Sequence, residues 1–166
     1  AAGRAAAADP AAVDPAGPAD PVLRPVTVVD IRETNRRVIE QFRAGGEVEG
    51  MHRERLALLT TTGRLSGEPR TVPMMVHRDG ERWLVVASNI GAPHHPDWYL
   101  NLEADSRVRV EVDGRSFDAE ALPLLGADYV RTWTELEKEY PFLADHQAKA
   151  RQARRVIPIV ELSEED

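Results

Sequence analysis

Two loops hold the residues best able to meet a ligand. The first runs Thr61-Thr62-Gly63-Arg64-Leu65-Ser66-Gly67-Glu68-Pro69-Arg70. Its glycines, small hydroxyls and paired arginines let backbone N–H groups and guanidinium forks converge on a phosphate. A plain inter-strand loop has much the same composition, so the loop alone decides nothing. The second runs from Ala87-Ser88-Asn89-Ile90-Gly91 through His94-His95-Pro96-Asp97 to Trp98-Tyr99-Leu100-Asn101-Leu102. Here a Gly/Pro stretch opens a helix whose free N–H groups suit an anion. Trp98 and Tyr99 offer flat surfaces to a ring, and would equally fill a core. Other chemistry is scarce. There is no nucleophile elbow, no zinc-protease pair of histidines and no Walker loop. The absence of cysteine removes thiolate chemistry and disulfides. His94 and His95 are adjacent and point apart, with no third ligand near, so no metal centre is expected. Glu135, Glu137 and Glu139 read as a solvated helix face. An enzyme built this way leaves the hard chemistry to a cofactor.

The elements around these loops follow from the pattern. Residues 1–30 are Ala, Pro and Asp with few large apolar groups, which predicts a disordered tail ahead of one domain over 31–162. Arg4, Asp9, Pro10 and Asp14 break the apolar run a signal peptide needs, and no stretch approaches the roughly 18 apolar residues of a spanning helix. A cytoplasmic protein is expected, with a peripheral membrane contact left open. A helix is predicted over 31–43, with Val38, Ile39 and Phe42 on one stripe and Gly45-Gly46 stopping it. Strands are predicted over 56–61, 71–77 and 83–88, the last two joined at Asp79-Gly80. Leu84 to Ala87 are continuously apolar, so that strand should be covered on both faces. Pro96 suits the first position of a helix through Leu102. The strict alternation Arg107-Val108-Arg109-Val110-Glu111-Val112 turns at Asp113-Gly114 into 116–121, a half-buried hairpin. Helices over 127–139 and 142–153 flank Pro141, and a last strand covers 156–161. The order α-βββ-α-ββ-αα-β describes a mainly β, α+β fold whose six short strands close or nearly close a barrel.

The net charge of −7 is concentrated at the ends: residues 1–30 carry −2 and the last six carry −4. Inside, residues 51–82 sum to +2 and residues 146–155 to +4, so a globally acidic chain could still meet an anionic ligand locally. No DNA-binding motif accompanies these charges, and nucleic acid is not an expected partner.

Taken together the loops resemble the deazaflavin-dependent nitroreductases of actinobacteria, which have the split β-barrel fold of flavin-binding proteins. The matching stretches are Leu58-Leu59-Thr60-Thr61-Thr62-Gly63-Arg64 with Ser66-Gly67, Pro69-Arg70 and Pro73. They continue with Val86-Ala87-Ser88, Gly91-Ala92, Pro96 and Trp98-Tyr99-Leu100-Asn101-Leu102, then Tyr140-Pro141 and Arg155-Val156-Ile157-Pro158-Ile159-Val160. Order and spacing agree over about residues 31–160.

The resemblance implies coenzyme F420, used as F420H2 to pass a hydride to a small organic acceptor: a quinone, an activated alkene or a nitro compound. It implies that Arg64, Leu65, Ser66 and Arg70 hold the cofactor phosphate and oligoglutamate tail. The deazaflavin ring is implied to lie along Thr71, Val72, Pro73, Met74 and Met75 and along Val86, Ala87, Ser88 and Asn89. Asp97, Trp98, Tyr99, Leu100 and Asn101 are implied to close the site, and Tyr140, Leu143 and His146 to border the acceptor. Tyr140, His146 and Ser88 are then the candidate proton donors, beside water. Leu65 stands where some relatives carry Lys, and Met75, Leu143 and His146 where some carry aromatics, so the acceptor pocket should have its own shape. An FMN-binding barrel, or a barrel that only carries a flavin or tetrapyrrole, stays open at this stage. The oligomeric state is also open.

Overall fold

The computed structural model describes residues 28–166 except Asp113. Residues 1–27, and with them most of the expected tail, lie outside the described residues. Helix α1 spans Val28–Arg43, β1 Leu56–Thr62, β2 Pro69–Met75, β3 His77–Asp79 and β4 Arg82–Val86. Then come α2, Asp97–Ala104; β5, Arg107–Val112; β6, Arg115–Pro123; α3, Gly126–Glu139; α4, Phe142–Gln152; and β7, Ile159–Glu164. Short 3-10 turns precede β1 (Arg53–Arg55) and follow β4 (Asn89–Gly91).

All strand pairs are antiparallel, and the sheet order is β2-β1-β5-β6-β7-β4-β3. Seven strands form the sheet where six were expected. The expected strand over 71–77 breaks at Val76, whose N–H donates to the Arg55 carbonyl at 2.7 Å. The two pieces then pair at opposite ends of the sheet, β2 with β1 and β3 with β4. The chain therefore joins the two sheet edges through one residue and curls the sheet into an open barrel. Among the described residues no hydrogen-bonded ladder links β2 to β4, so a seam remains between them. Pro69 and Pro73 explain why β2 is an edge: neither can donate to a second neighbour.

Three apolar clusters hold the elements. Inside the barrel, Ala57, Leu59, Met74, Val85, Val110 and Val160 meet Trp98 and Leu102 of α2. Outside β1, Val38 and Phe42 of α1 pack on Leu56 and Leu58. Outside β4 and β7, Leu84, Val86 and Ile159 meet Leu136, Tyr140 and Leu143 of the late helices. Leu84 and Val85 thus point to different clusters, as a strand covered on both faces must. Boundaries moved in places. Helix α1 begins three residues before the expected domain start. Pro96 caps α2 and does not open it. The last strand starts at Ile159, because 156–158 serve as a connector from α4. Among the described residues no helix is long and apolar enough to cross a membrane.

Gly91 marks the tightest contact between loop and helix. Its φ is +71°, and a Cβ there would run into the backbone oxygen of His146 in α4. Gly80 has φ +62° but open space around it. Gly80→Ala should therefore carry only the left-handed penalty of about 1–2 kcal/mol. Gly91→Ala adds overpacking of roughly 1–3 kcal/mol. At about 2–4 °C per kcal/mol, the Gly91 variant should melt clearly below the Gly80 variant in a thermal scan. Equal melting points would show that α4 yields freely at this contact.

Candidate functional site

The β1–β2 loop folds back on itself and is pinned to α2. Gly63 N–H donates to the Glu68 carbonyl and Gly67 N–H to the Gly63 carbonyl, both at 2.8 Å. Gly67 has φ +70°, which favours glycine there. Asn101, buried on α2, ties the pieces together. Its Nδ2 donates to Thr61 Oγ1 (3.1 Å), and its Oδ1 accepts from Arg64 N (3.1 Å) and Arg64 Nη1 (3.0 Å). Arg64 Nη2 reaches Asp97 Oδ1 at 3.1 Å, so both faces of its fork are used.

This clamp forms one wall of a cleft of about 920 Å³. Nine residues that the resemblance assigns to the cofactor line it: Arg64, Leu65, Ser66, Arg70, Thr71, Val72, Asp97, Trp98 and Asn101. The opposite wall is α1, which the sequence reading had assigned no role. Arg32, Asn35, Arg36, Ile39, Glu40 and Arg43 face the cleft. Apart from Ile39, which edges the apolar stripe of Val38 and Phe42, they form a polar helical stripe at spacings of three and four residues. That stripe was the available signal.

The cleft is cationic. Arg36 is shared between Glu33 (2.7 Å) and Glu40 (3.4 Å), and Arg43 pairs with Glu111 (2.8 Å). Arg32 and Arg70 have no hydrogen-bond or ionic partner among the described residues. Two buried polar atoms in the walls also lack a partner among the described residues, Asn35 Oδ1 and Trp98 Nε1. A group with acidic oxygens for the arginines, plus a donor for Asn35 and an acceptor for Trp98, would satisfy what the protein leaves unsatisfied. Leu65, at the loop tip, is 93% exposed and offers no charge.

Other expected site residues do not line this cleft. Met74 and Ala87 are buried inside the barrel. Ser88, Asn89 and Tyr99 are buried, Leu100 is half-buried and Pro73 is buried against β1. Met75, Val86, Tyr140 and Leu143 meet in the cluster outside β4. His146 joins that cluster's rim through Phe142, ring centroids 5.3 Å apart. Tyr140 has His77 at its edge (6.1 Å) and the Arg55 guanidinium 5.8 Å from its ring. Thr71, Pro73 and Met75 alternate along one face of β2, so that strand runs from the cleft to the late helices. The span is about 13 Å at the usual strand rise.

Burial tunes the titratable groups. It raises the Tyr140 hydroxyl above its ordinary value, helped by Glu139. It lowers His146, whose Nδ1 is buried without a partner. At neutral pH both are therefore uncharged, and His146 is a weaker reservoir of protons than an unperturbed imidazole. Burial, with Glu103, pushes Tyr99 up to about 12.

Known proteins share this architecture. A solved domain-swapped dimer is 32% identical, with TM-score 0.61 over 80% of this chain and 96% of its own. A solved F420-H2 dependent reductase is 33% identical, with TM-score 0.58 over 69% of this chain and all of its own. F420H(2)-dependent quinone reductases from two strains of Mycobacterium tuberculosis are each 36% identical over 109 residues, 64% of this chain and 71% of theirs. Residues 31–164 match the model of the F420H(2)-dependent quinone reductase family, and the chain belongs to that family.

Proposed function

We propose that the chain binds F420H2 with the cofactor's phosphate and acidic tail in the cationic cleft and its ring in the seam between β2 and the end of β4. The observation that carries this reading is the continuity of the cleft with one face of β2. Thr71 borders the cleft and Met75 reaches the Tyr140 cluster. A long ligand, anionic at one end and flat at the other, matches that path. Arg32 and Arg70 supply unpaired charge, and Asn35 and Trp98 the unmet polar atoms. When bound, the reduced deazaflavin supplies a hydride. The protein orients it, and the apolar side chains of Met75, Val86 and Leu143 keep water from the ring.

A quinone is the favoured acceptor, since the relatives carry that name; activated alkenes and nitro compounds are the further classes. Tyr140 and His146 border the acceptor in this reading, and Ser88 lies on the ring side. Each of the three keeps a transferable proton at neutral pH, and water is the competing source.

Fluorescence titration tests the cofactor. F420 should bind at least about tenfold tighter than FMN, roughly 1.4 kcal/mol. Arg70→Ala and Arg32→Ala should each weaken F420 by about tenfold or more, as loss of a charge-assisted contact does. FMN binding as tightly as F420 would move the chain to the flavin-binding reading. Steady-state kinetics test the acceptor side. Tyr140→Phe and His146→Ala should leave F420 affinity nearly intact while slowing turnover unequally with a quinone and an enone. An equal loss of cofactor affinity in both variants would place them on the cofactor side instead.

A further inference from the structure

Among the described residues Arg155 is a buried cation with no counter-ion. The residue is 5% exposed. Its Nε donates to the Ala92 carbonyl (2.8 Å), Nη1 to Ala87 (3.1 Å) and Nη2 to Ser88 (2.5 Å). Nη1 also lies 3.0 Å from His95 Nδ1. Every partner is neutral. His95 is held below its usual value by burial and by the guanidinium itself. The charged or titratable groups around His95, Gly91 and His146 are His94 in the same loop, Glu103 on α2, and Asp145 and Lys149 on α4, and Arg154 is next to Arg155 in the chain. None of them pairs with Arg155 among the described residues. Desolvating a charge against neutral acceptors alone is expensive, and a purely structural tie would not need the charge.

The segment it grips is also strained. Asn89, Ile90 and Gly91 have φ of 48°, 56° and 71°, three left-handed residues in a row. Isoleucine in that region is a genuine outlier. Asn89 Nδ2 donates to the His94 carbonyl at 2.9 Å, while its Oδ1 is buried without a partner among the described residues. Linking a strand to a helix requires neither the strain nor the buried charge. Both adjoin the strand end at Val86–Asn89, and strain of this kind persists where surrounding structure holds it.

We propose that Arg155 is a positioning residue of the redox site: it shapes the left-handed turn that receives the deazaflavin ring and holds an uncompensated positive charge behind it, which favours anionic forms of the bound ring. This rests on the ring placement proposed above. The test is an absorbance titration of the acidic ring hydroxyl of oxidised F420, bound to excess protein and scanned against pH. The wild-type midpoint should lie below that of free F420. Arg155→Gln removes the charge. His95→Glu leaves Arg155 and its carbonyl contacts in place and gives it a carboxylate. Each should raise the bound midpoint by about one unit, tenfold in the ionisation equilibrium, while Arg155→Lys stays near wild type. An unmoved midpoint in His95→Glu and in folded Arg155→Gln overturns the inference. If Arg155→Gln does not fold, His95→Glu alone decides. Failure of the wild-type protein to bind F420 overturns the functional reading and this inference together; binding with an unmoved midpoint overturns this inference only.

Discussion

The side-chain amide of Asn101 is where the barrel, the β1–β2 loop and α2 meet. One nitrogen reaches Thr61 at the end of β1, and one oxygen takes both a backbone and a side-chain N–H from Arg64. A carboxamide is suited to this, because it donates and accepts in one plane. Alanine would leave the Thr61 hydroxyl and the Arg64 backbone N–H without this partner. Asp97, one turn earlier, takes the remaining arm of the Arg64 fork. The cleft wall is thus held by side chains from two distant segments and not by the loop's own glycines alone.

A second constraint is topological. Val76 alone separates β2 from β3, and those strands occupy opposite ends of the sheet. The barrel is closed by the covalent chain and left open in hydrogen bonds, which creates a seam with backbone edges on either side. The late helices cover one end of the seam through Tyr140 and Leu143, and α1 walls the other through Arg32 and Asn35. Charge is distributed in the same sense. Arginines with no partner among the described residues line the cleft, and one buried arginine bonds to the strand end that borders the seam.

Much of this was legible in the sequence. Period-two alternation in 107–112 and the turn at Asp113-Gly114 located a hairpin that the structure contains. The loop at 61–70 and the start of α2 were singled out separately, and the fold brings them to one cleft. The break at Val76 was not legible, because Thr71 to His77 is uniformly strand-like and only pairing partners reveal that its halves belong to different edges. The prolines at 69 and 73 carried an edge signal that the sequence reading did not use. The α1 wall was missed because its apolar stripe drew attention to core packing and the polar residues beside it were given no reading. Arg155 was read within a basic cluster, since only burial distinguishes it from Lys149, Arg151 and Arg154.

The central claim is that the Asn101 clamp presents the cationic cleft to an anionic deazaflavin cofactor. Equilibrium fluorescence titration of Asn101→Ala with F420 tests it most directly. Loss of the clamp should weaken F420 by at least about tenfold, roughly 1.4 kcal/mol, while circular dichroism shows the barrel still folded. A folded Asn101→Ala protein that binds F420 as tightly as the wild type would contradict the claim.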